Sequence, residues 1–276
     1  MNQKNTISWL ILDWGTTNFR AFATELESLL SKWLGDYQHL PIYMAGMVGS
    51  AQGWVNVPYV STPTNVESLA QNTHQFELPW GATATIIPGV SHYDEHGNYD
   101  VMRGEEVQLF GLLELAGKPT LEAAFPGTHS KHANIEAGKL VSFSTYMTGE
   151  LFSALSTHTI LGRGLPDQVS SNAAFVKGVK ESSNSSITNQ LFKTRTHRLF
   201  GNLEENEVFD YLSGLLIGNE VRELHQESIY LVGGKALSER YDQACRQLDK
   251  TTEYVNGDDT FIAGMLKIKE AMNHDK

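Results

Sequence analysis

The chain of 276 residues carries 32 acidic and 21 basic side chains, a formal charge of −11, and a single cysteine. One cysteine excludes an internal disulfide and an all-cysteine zinc site, and the acidic excess argues against a general nucleic-acid or anionic-membrane surface. The length suits one large or two medium domains, and no apolar run approaches the roughly 20 residues that cross a bilayer. A cytoplasmic protein without a membrane or nucleic-acid partner is therefore expected, and a homo-oligomer is compatible with everything in the composition.

In chain order, residues 8–13 (SWLILD) read as a buried strand that ends at the turn DWGTTN. Residues 25–33 read as a helix, 41–45 (PIYMA) as a strand opening into GMVGS, 66–72 as a helix, and 83–88 (TATIIP) as a strand opening into PGV. Strands alternating with helices predict an α/β sheet covered on both faces. A helix is expected over 107–116 and strands over 120–125 and 139–145, flanking the turn PGTHSKH. A further strand at 229–232 enters the pair Gly233 and Gly234. Phe209, Leu212 and Leu216, and then Phe261, Met265, Ile268 and Met272, recur at helical spacing and read as core faces. Residues 181–186 (ESSNSS) read as a polar loop. The coarse duplication of strand, glycine turn and helix puts a boundary near 117–119, dividing the chain into 1–118 and 119–276.

The 24 glycines are a slight excess, and their neighbours are the informative part. In DWGTTNFR, Asp13 closes the strand and Gly15, Thr16, Thr17 and Asn18 follow it. Glycine lets backbone approach a ligand, amides and hydroxyls surround phosphate oxygens, and the acid can face a hydrated magnesium ion. A hairpin with a polar tip has the same composition. The turn PGTHSKH repeats the pair as Gly127 and Thr128 and adds His129, Ser130 and Lys131, so two turns can hold a triphosphate between them. GxxxxGK[ST] and GxGxxG are absent. His129 and His132 also read as zinc ligands, although no Cys or Glu stands at metal spacing from them.

In DVMRGEEVQLFG, Arg103, Glu105 and Glu106 stand at a helix entrance. Capping of the helix dipole accounts for at least one glutamate; the other suits a base that accepts a hydroxyl proton during phosphoryl transfer, or a simple ion pair. GMVGSAQGWVNVPY presents Gly49, Ser50, Trp54 and Tyr59, which suit a hydroxyl-rich small acid or an ordinary packed loop. Thr148 in TYMTGE either meets a ligand or caps the following helix, and Arg20 and Arg103 are the guanidinium candidates for a substrate carboxylate.

Taken in order, DWGTTNFRAF, MAGMVGSAQGW with VPY, IIPGV, VMRGEEVQLFG, PGTHSKH, FSTYMTGELFSAL, HTILGRGLP, YLSGLLIGNEV and LVGG resemble the 2-dehydro-3-deoxygalactonokinase family over most of the chain. The resemblance implies two ribonuclease-H-like α/β domains of the actin-like ATPase architecture with an interdomain cleft. It also implies transfer of the γ-phosphoryl of ATP, with Mg2+, to O6 of 2-dehydro-3-deoxy-D-galactonate in galactonate catabolism. It makes DWGTTN and PGTHSKH the two phosphate turns and brings Gly233 and Gly234 to the adenosine. Met47, Gly49, Ser50, Trp54, Tyr59, Arg20, Arg103 and Thr148 fall to the sugar acid, and Asp13 to magnesium through water. Glu105 is the favoured base, with Glu106 and Asp13 as competitors. Kinases of another 2-keto-3-deoxy acid and a non-catalytic sensor of the same fold are the rival expectations. Two features depart from the family pattern: RAF at 20–22 runs almost directly into the first helix where a strand hairpin is usual, and His132 stands where the second phosphate motif usually ends in Trp.

Overall fold

The short apolar run LILDW forms strand β1 (Leu10–Trp14), because five residues ending at a glycine are too few for a helix and long enough to bury in a sheet. The computed structural model describes residues 7–15 and 23–274. The expected site residues Thr16, Thr17, Asn18 and Arg20 lie outside the described residues. Helix α1 (Ala23–Trp33) turns Leu26 and Leu30 into the core at the four-residue step, and strand β2 (Ile42–Gly46) then runs parallel to β1. Strand β3 (Val60–Ser61) and helix α2 (Val66–Gln71), capped by the Asn65 side chain on the Ser68 amide, lead to β4 (His74–Glu77) and β5 (Thr83–Ile86). The resulting sheet has the order β1-β2-β5-β4, with β5 parallel to β2 and β4 antiparallel to β5. Ile42, Met44, Ala84 and Ile86, in register on one face of the sheet, are fully buried, and on the opposite face Thr85 is buried too. Strands β6 (Val90–Tyr93) and β7 (Tyr99–Met102) pair antiparallel and form a small sheet with β3. Helix α3 (Glu105–Ala116) follows and ends at Gly117.

Strands β8 (Leu121–Phe125), β9 (Ser130–Glu136) and β10 (Lys139–Tyr146) come next, then helices α4 (Thr148–His158), α5 (Asn172–Glu181), α6 (Ile187–Leu199) and α7 (Val208–Val221). Strand β11 (Ser228–Gly233), helix α8 (Lys235–Arg246), strand β12 (Thr251–Asn256) and helix α9 (Gly257–His274) complete the chain. The second sheet has the order β10-β9-β8-β11-β12, with β8, β11 and β12 parallel. Among the described residues no helix is long and apolar enough to cross a membrane.

The contacts divide the chain into two compact units, one of residues 1–120, 135–143 and 257–276, the other of 121–134 and 144–256. A single cut after residue 118 therefore misassigns two segments. Helix α9 packs on α3 in the first unit, where its face of Phe261, Met265 and Ile268 is buried. That approach is close: a Cβ on Gly111 would fall 1.8 Å from the Thr260 carbonyl oxygen, and one on Gly264 1.9 Å from that of Val107. The other correction concerns PGTHSKH. Only residues 126–129 form the turn, because Ser130, Lys131 and His132 are already buried in β9.

Candidate active site

In each unit the glycine turns stand at the carboxyl ends of parallel strands, the edge where open α/β sheets bind ligands. In the first unit Asp13 and Trp14 pair with Ala45 and Gly46 across the ends of β1 and β2. Gly46 has φ 88°, and a Cβ there would lie 2.5 Å from the Trp14 carbonyl oxygen, so only glycine fits. Gly104 lies directly against Gly46, which brings the entrance of α3 to the same strand ends. The Asp13 carboxyl is raised above the usual carboxylate range, first by desolvation and then by the Asp258 carboxylate at the start of α9. Beyond it, Gly15 is exposed, with nothing near the position of a Cβ.

The two glutamates of α3 divide the roles that their spacing left open. Glu106 is fully buried and both of its oxygens accept the Gly104 N–H, at 2.9 and 2.8 Å. Burial pushes its pKa up to about 8, and the neighbouring Glu105 adds to the rise. Glu106 is therefore the capping residue. Glu105, the first residue of the helix, is half-buried.

Arg103 stacks its guanidinium 4.0 Å from the centre of the Tyr59 ring and donates from Nη2 to the Val57 carbonyl. Among the described residues its Nε and Nη1 are buried without a hydrogen-bond partner, and Nη1 lies against Gly49. Arg103, Tyr59 and Gly49 thus come together. The other expected sugar-acid residues of this loop make contacts within the first unit. Ser50 donates its hydroxyl to the Met47 carbonyl at 2.8 Å, Met47 packs on the core, and Trp54 packs edge-on against Phe76 at 5.5 Å.

In the second unit the turn 126–129 follows β8, and Gly233 at the end of β11 lies beside the Pro126 carbonyl. Gly234 begins α8 as its N-cap, and Tyr254 donates its hydroxyl to the Gly233 carbonyl at 3.1 Å. The Glu150 amide donates to the Thr128 carbonyl at 3.0 Å, tying the turn to α4. His129 is hydrogen-bonded to the Glu150 carboxylate. Ser130 faces inward and donates its hydroxyl to Glu220 at 2.6 Å. His132 pairs through Nε2 with Glu220 at 3.0 Å and stacks on Tyr146. The two histidines thus have separate carboxylate partners, and among the described residues no group of three His, Cys, Asp or Glu side chains could hold a metal.

A cavity of about 310 Å³ opens beside this turn, lined by Gly127, Thr148, Phe152, Phe209, Leu237 and Tyr241 among others. Thr148, an expected sugar-acid residue, lies in the second unit and lines this cavity. Sequence reasoning misses Leu237, Tyr241 and Glu220. Leu237 and Tyr241, four apart on the helix that follows VGG, carry a usable signal; Glu220 carries none, because it sits in an apolar helix far from its partners.

A mixed α/β chain with glycine turns at two sets of strand ends defines a phosphate-handling enzyme of the α/β class; one set carries carboxylates and an arginine, and the other borders an apolar cavity. The family model described as 2-keto-3-deoxy-galactonokinase matches residues 13–268, and the chain belongs to that family. It is 37% identical over 298 aligned positions to the 2-dehydro-3-deoxygalactonokinase of Escherichia coli (strain K12), covering 97% of this chain and 99% of that one. A Rhizobium meliloti (strain 1021) protein provisionally given the same name is 29% identical, covering 95% and 96% of the two chains. A Sinorhizobium meliloti crystal structure, also provisionally assigned to this kinase, superposes with a TM-score of 0.85 at 28% identity, covering 95% of this chain and 98% of that one.

Proposed function

We propose that the protein transfers the γ-phosphoryl group of ATP to O6 of 2-dehydro-3-deoxy-D-galactonate, a step of galactonate catabolism in the cytoplasm. The observation that carries this reading is the full-length similarity to the E. coli kinase. The architecture we assign is the actin-like one, with two ribonuclease-H-like domains. The order β10-β9-β8-β11-β12 supports it in the second unit: three consecutive strands are followed by two parallel ones reached through helices.

Each unit supplies half of the chemistry. In the second, Gly127 and Thr128 offer the turn backbone to phosphate oxygens, Gly233 and Gly234 leave room for the adenosine, and the apolar cavity suits a flat base. In the first, Arg103 and Tyr59 meet the sugar acid. A buried guanidinium N–H without a partner costs about 1–3 kcal/mol, and a carboxylate on Nε and Nη1 would remove that cost. The family motif assigns the phosphate contacts of the first unit to Gly15, Thr16, Thr17 and Asn18.

Glu105 accepts the O6 proton as that oxygen attacks the γ-phosphorus. The bond from phosphorus to the β,γ-bridging oxygen breaks, and its electron pair leaves with ADP. Two oxygen-donor carboxylates, Asp13 and Asp258, close enough to raise the Asp13 pKa, fit a hydrated magnesium ion, which needs only one or two protein ligands. When bound with ATP, magnesium supplies neutralisation of the phosphate charge, and Asp13 would hold it through water.

A coupled assay for ADP across a panel of 2-keto-3-deoxy acids tests the reading. The highest kcat/KM is expected with the galactonate derivative. A preference for the gluconate epimer would move the assignment to another sugar acid, and sugar-acid binding without ADP formation would make the protein a sensor.

A further inference from the structure

Helix α7 is apolar over most of its length, yet its buried face includes Glu220. A carboxylate removed from water is costly unless several donors meet it, and here three do. Oε1 accepts the Ser130 hydroxyl at 2.6 Å and Nε2–H of His132 at 3.0 Å, while Oε2 accepts the Tyr241 hydroxyl at 2.6 Å. The Thr148 hydroxyl also bonds to the Tyr241 side chain. None of these partners is remote from the cavity. Ser130 is the first residue after the turn 126–129, Tyr241 and Thr148 line the cavity, and so does Leu216, one helical turn before Glu220.

We infer that Glu220 is a positioning residue for the nucleotide: by gripping Ser130 and Tyr241 at once, it fixes the phosphate-side turn relative to the cavity wall on α8. This rests on the reading of the second unit as the nucleotide half. The device explains why β9 begins with polar residues in a buried strand. Ser130 and His132 are there to donate to Glu220, and the His132 ring is held against Tyr146 at 4.5 Å. It also follows that the Nε2 tautomer carries the histidine hydrogen, since a carboxylate only accepts.

Glu220→Gln keeps the shape but replaces one accepting oxygen with a donor, so at least one of Ser130, His132 and Tyr241 loses its partner. Tyr241→Phe and Ser130→Ala each remove one donor and leave the others. The experiment is calorimetric binding of magnesium-ATP to wild type and the three variants, with steady-state KM values for both substrates. ATP affinity is expected to fall about tenfold in Glu220→Gln and about threefold in each of the others, and in every variant the ATP KM is expected to change more than kcat or the sugar-acid KM. Should Glu220→Gln fail to fold, the other two variants decide the matter. Unchanged ATP affinity in folded Tyr241→Phe and Ser130→Ala, beside a wild type that binds ATP, overturns the inference alone. A loss confined to kcat overturns it as well. A wild type that binds no nucleotide overturns the assignment of this half-site, and the inference with it.

Discussion

Each unit buries a glutamate close to the glycine turns at its strand ends, and the two are satisfied differently. Glu106 in the first unit accepts only backbone N–H groups, that of Gly104 and its own, and its pKa rises to about 8. Glu220 in the second is held by three side-chain donors from two other elements. The surroundings differ in the same sense. Asp13, Glu105 and Arg103 put charge around the first site, whereas the second borders a mostly apolar cavity whose charged lining residues, Asp210 and Arg240, are ion-paired at 2.7 Å. One backbone device, a glycine turn after a parallel strand, therefore stands in two different side-chain settings, and the proposed function assigns proton and charge transfer to one unit and the nucleotide base to the other.

If chemistry resides in the first unit, its acidic groups should dominate kcat. Asp13→Asn is expected to reduce kcat on the order of 10³-fold, with little change in melting temperature, since the amide keeps the shape of the side chain. Wild-type turnover in that variant would remove the assigned metal role. Glu105→Gln should cost on the order of 10²-fold in kcat, with the ATP KM nearly constant. Full activity would send the base elsewhere, and an equal loss on both kinetic parameters would assign Glu105 to binding. Packing at the strand ends gives a third contrast. Gly46→Ala places a Cβ 2.5 Å from the Trp14 carbonyl at φ 88° and should lose about 3 kcal/mol in denaturant unfolding. Gly15→Ala meets nothing within 4 Å and should unfold as wild type does.

The parts of this arrangement that are legible in the sequence are those with a local cause. The strands at 8–13, 41–45 and 83–88 can be read because an apolar run stops at a glycine, and α7 and α9 because their apolar residues recur at helical steps. What stays hidden depends on distant partners. Strands β6 and β7 put Tyr93 and Tyr99 outward, so their alternation is weak. Helix α8 buries Ser238, Tyr241, Ala244 and Cys245 at the three- and four-residue steps, but small and polar side chains obscure the face. The apolar face of α9 is readable while its destination is not, since Gly111 and Gly264 set that docking from opposite ends of the chain. For the same reason Ser130 reads as part of a turn: its partner Glu220 is 90 residues away. At the site, the glycines and the Arg103–Glu106 entrance are legible, and the apolar cavity is not.

The pH dependence of stability bears on the contrast between the buried glutamates. A carboxyl at about 8 in the fold, against an ordinary value of 4.5, binds its proton more tightly in the native than in the unfolded state. Between those values the native protein holds more protons, so this group's contribution to stability falls as pH rises, by roughly 1 kcal/mol per pH unit, and levels off above about pH 8. Glu106→Gln mimics the protonated acid: it still accepts the Gly104 N–H and carries no charge. Denaturant unfolding measured from about pH 5 to about pH 9 should therefore show the variant close to wild type at the acid end and more stable at about pH 8, with the decline between flattened. A decline that survives the substitution would mean that another group titrates there. Glu106 would then be ionised in the fold, and the difference between it and Glu220 would lie in geometry rather than in proton binding.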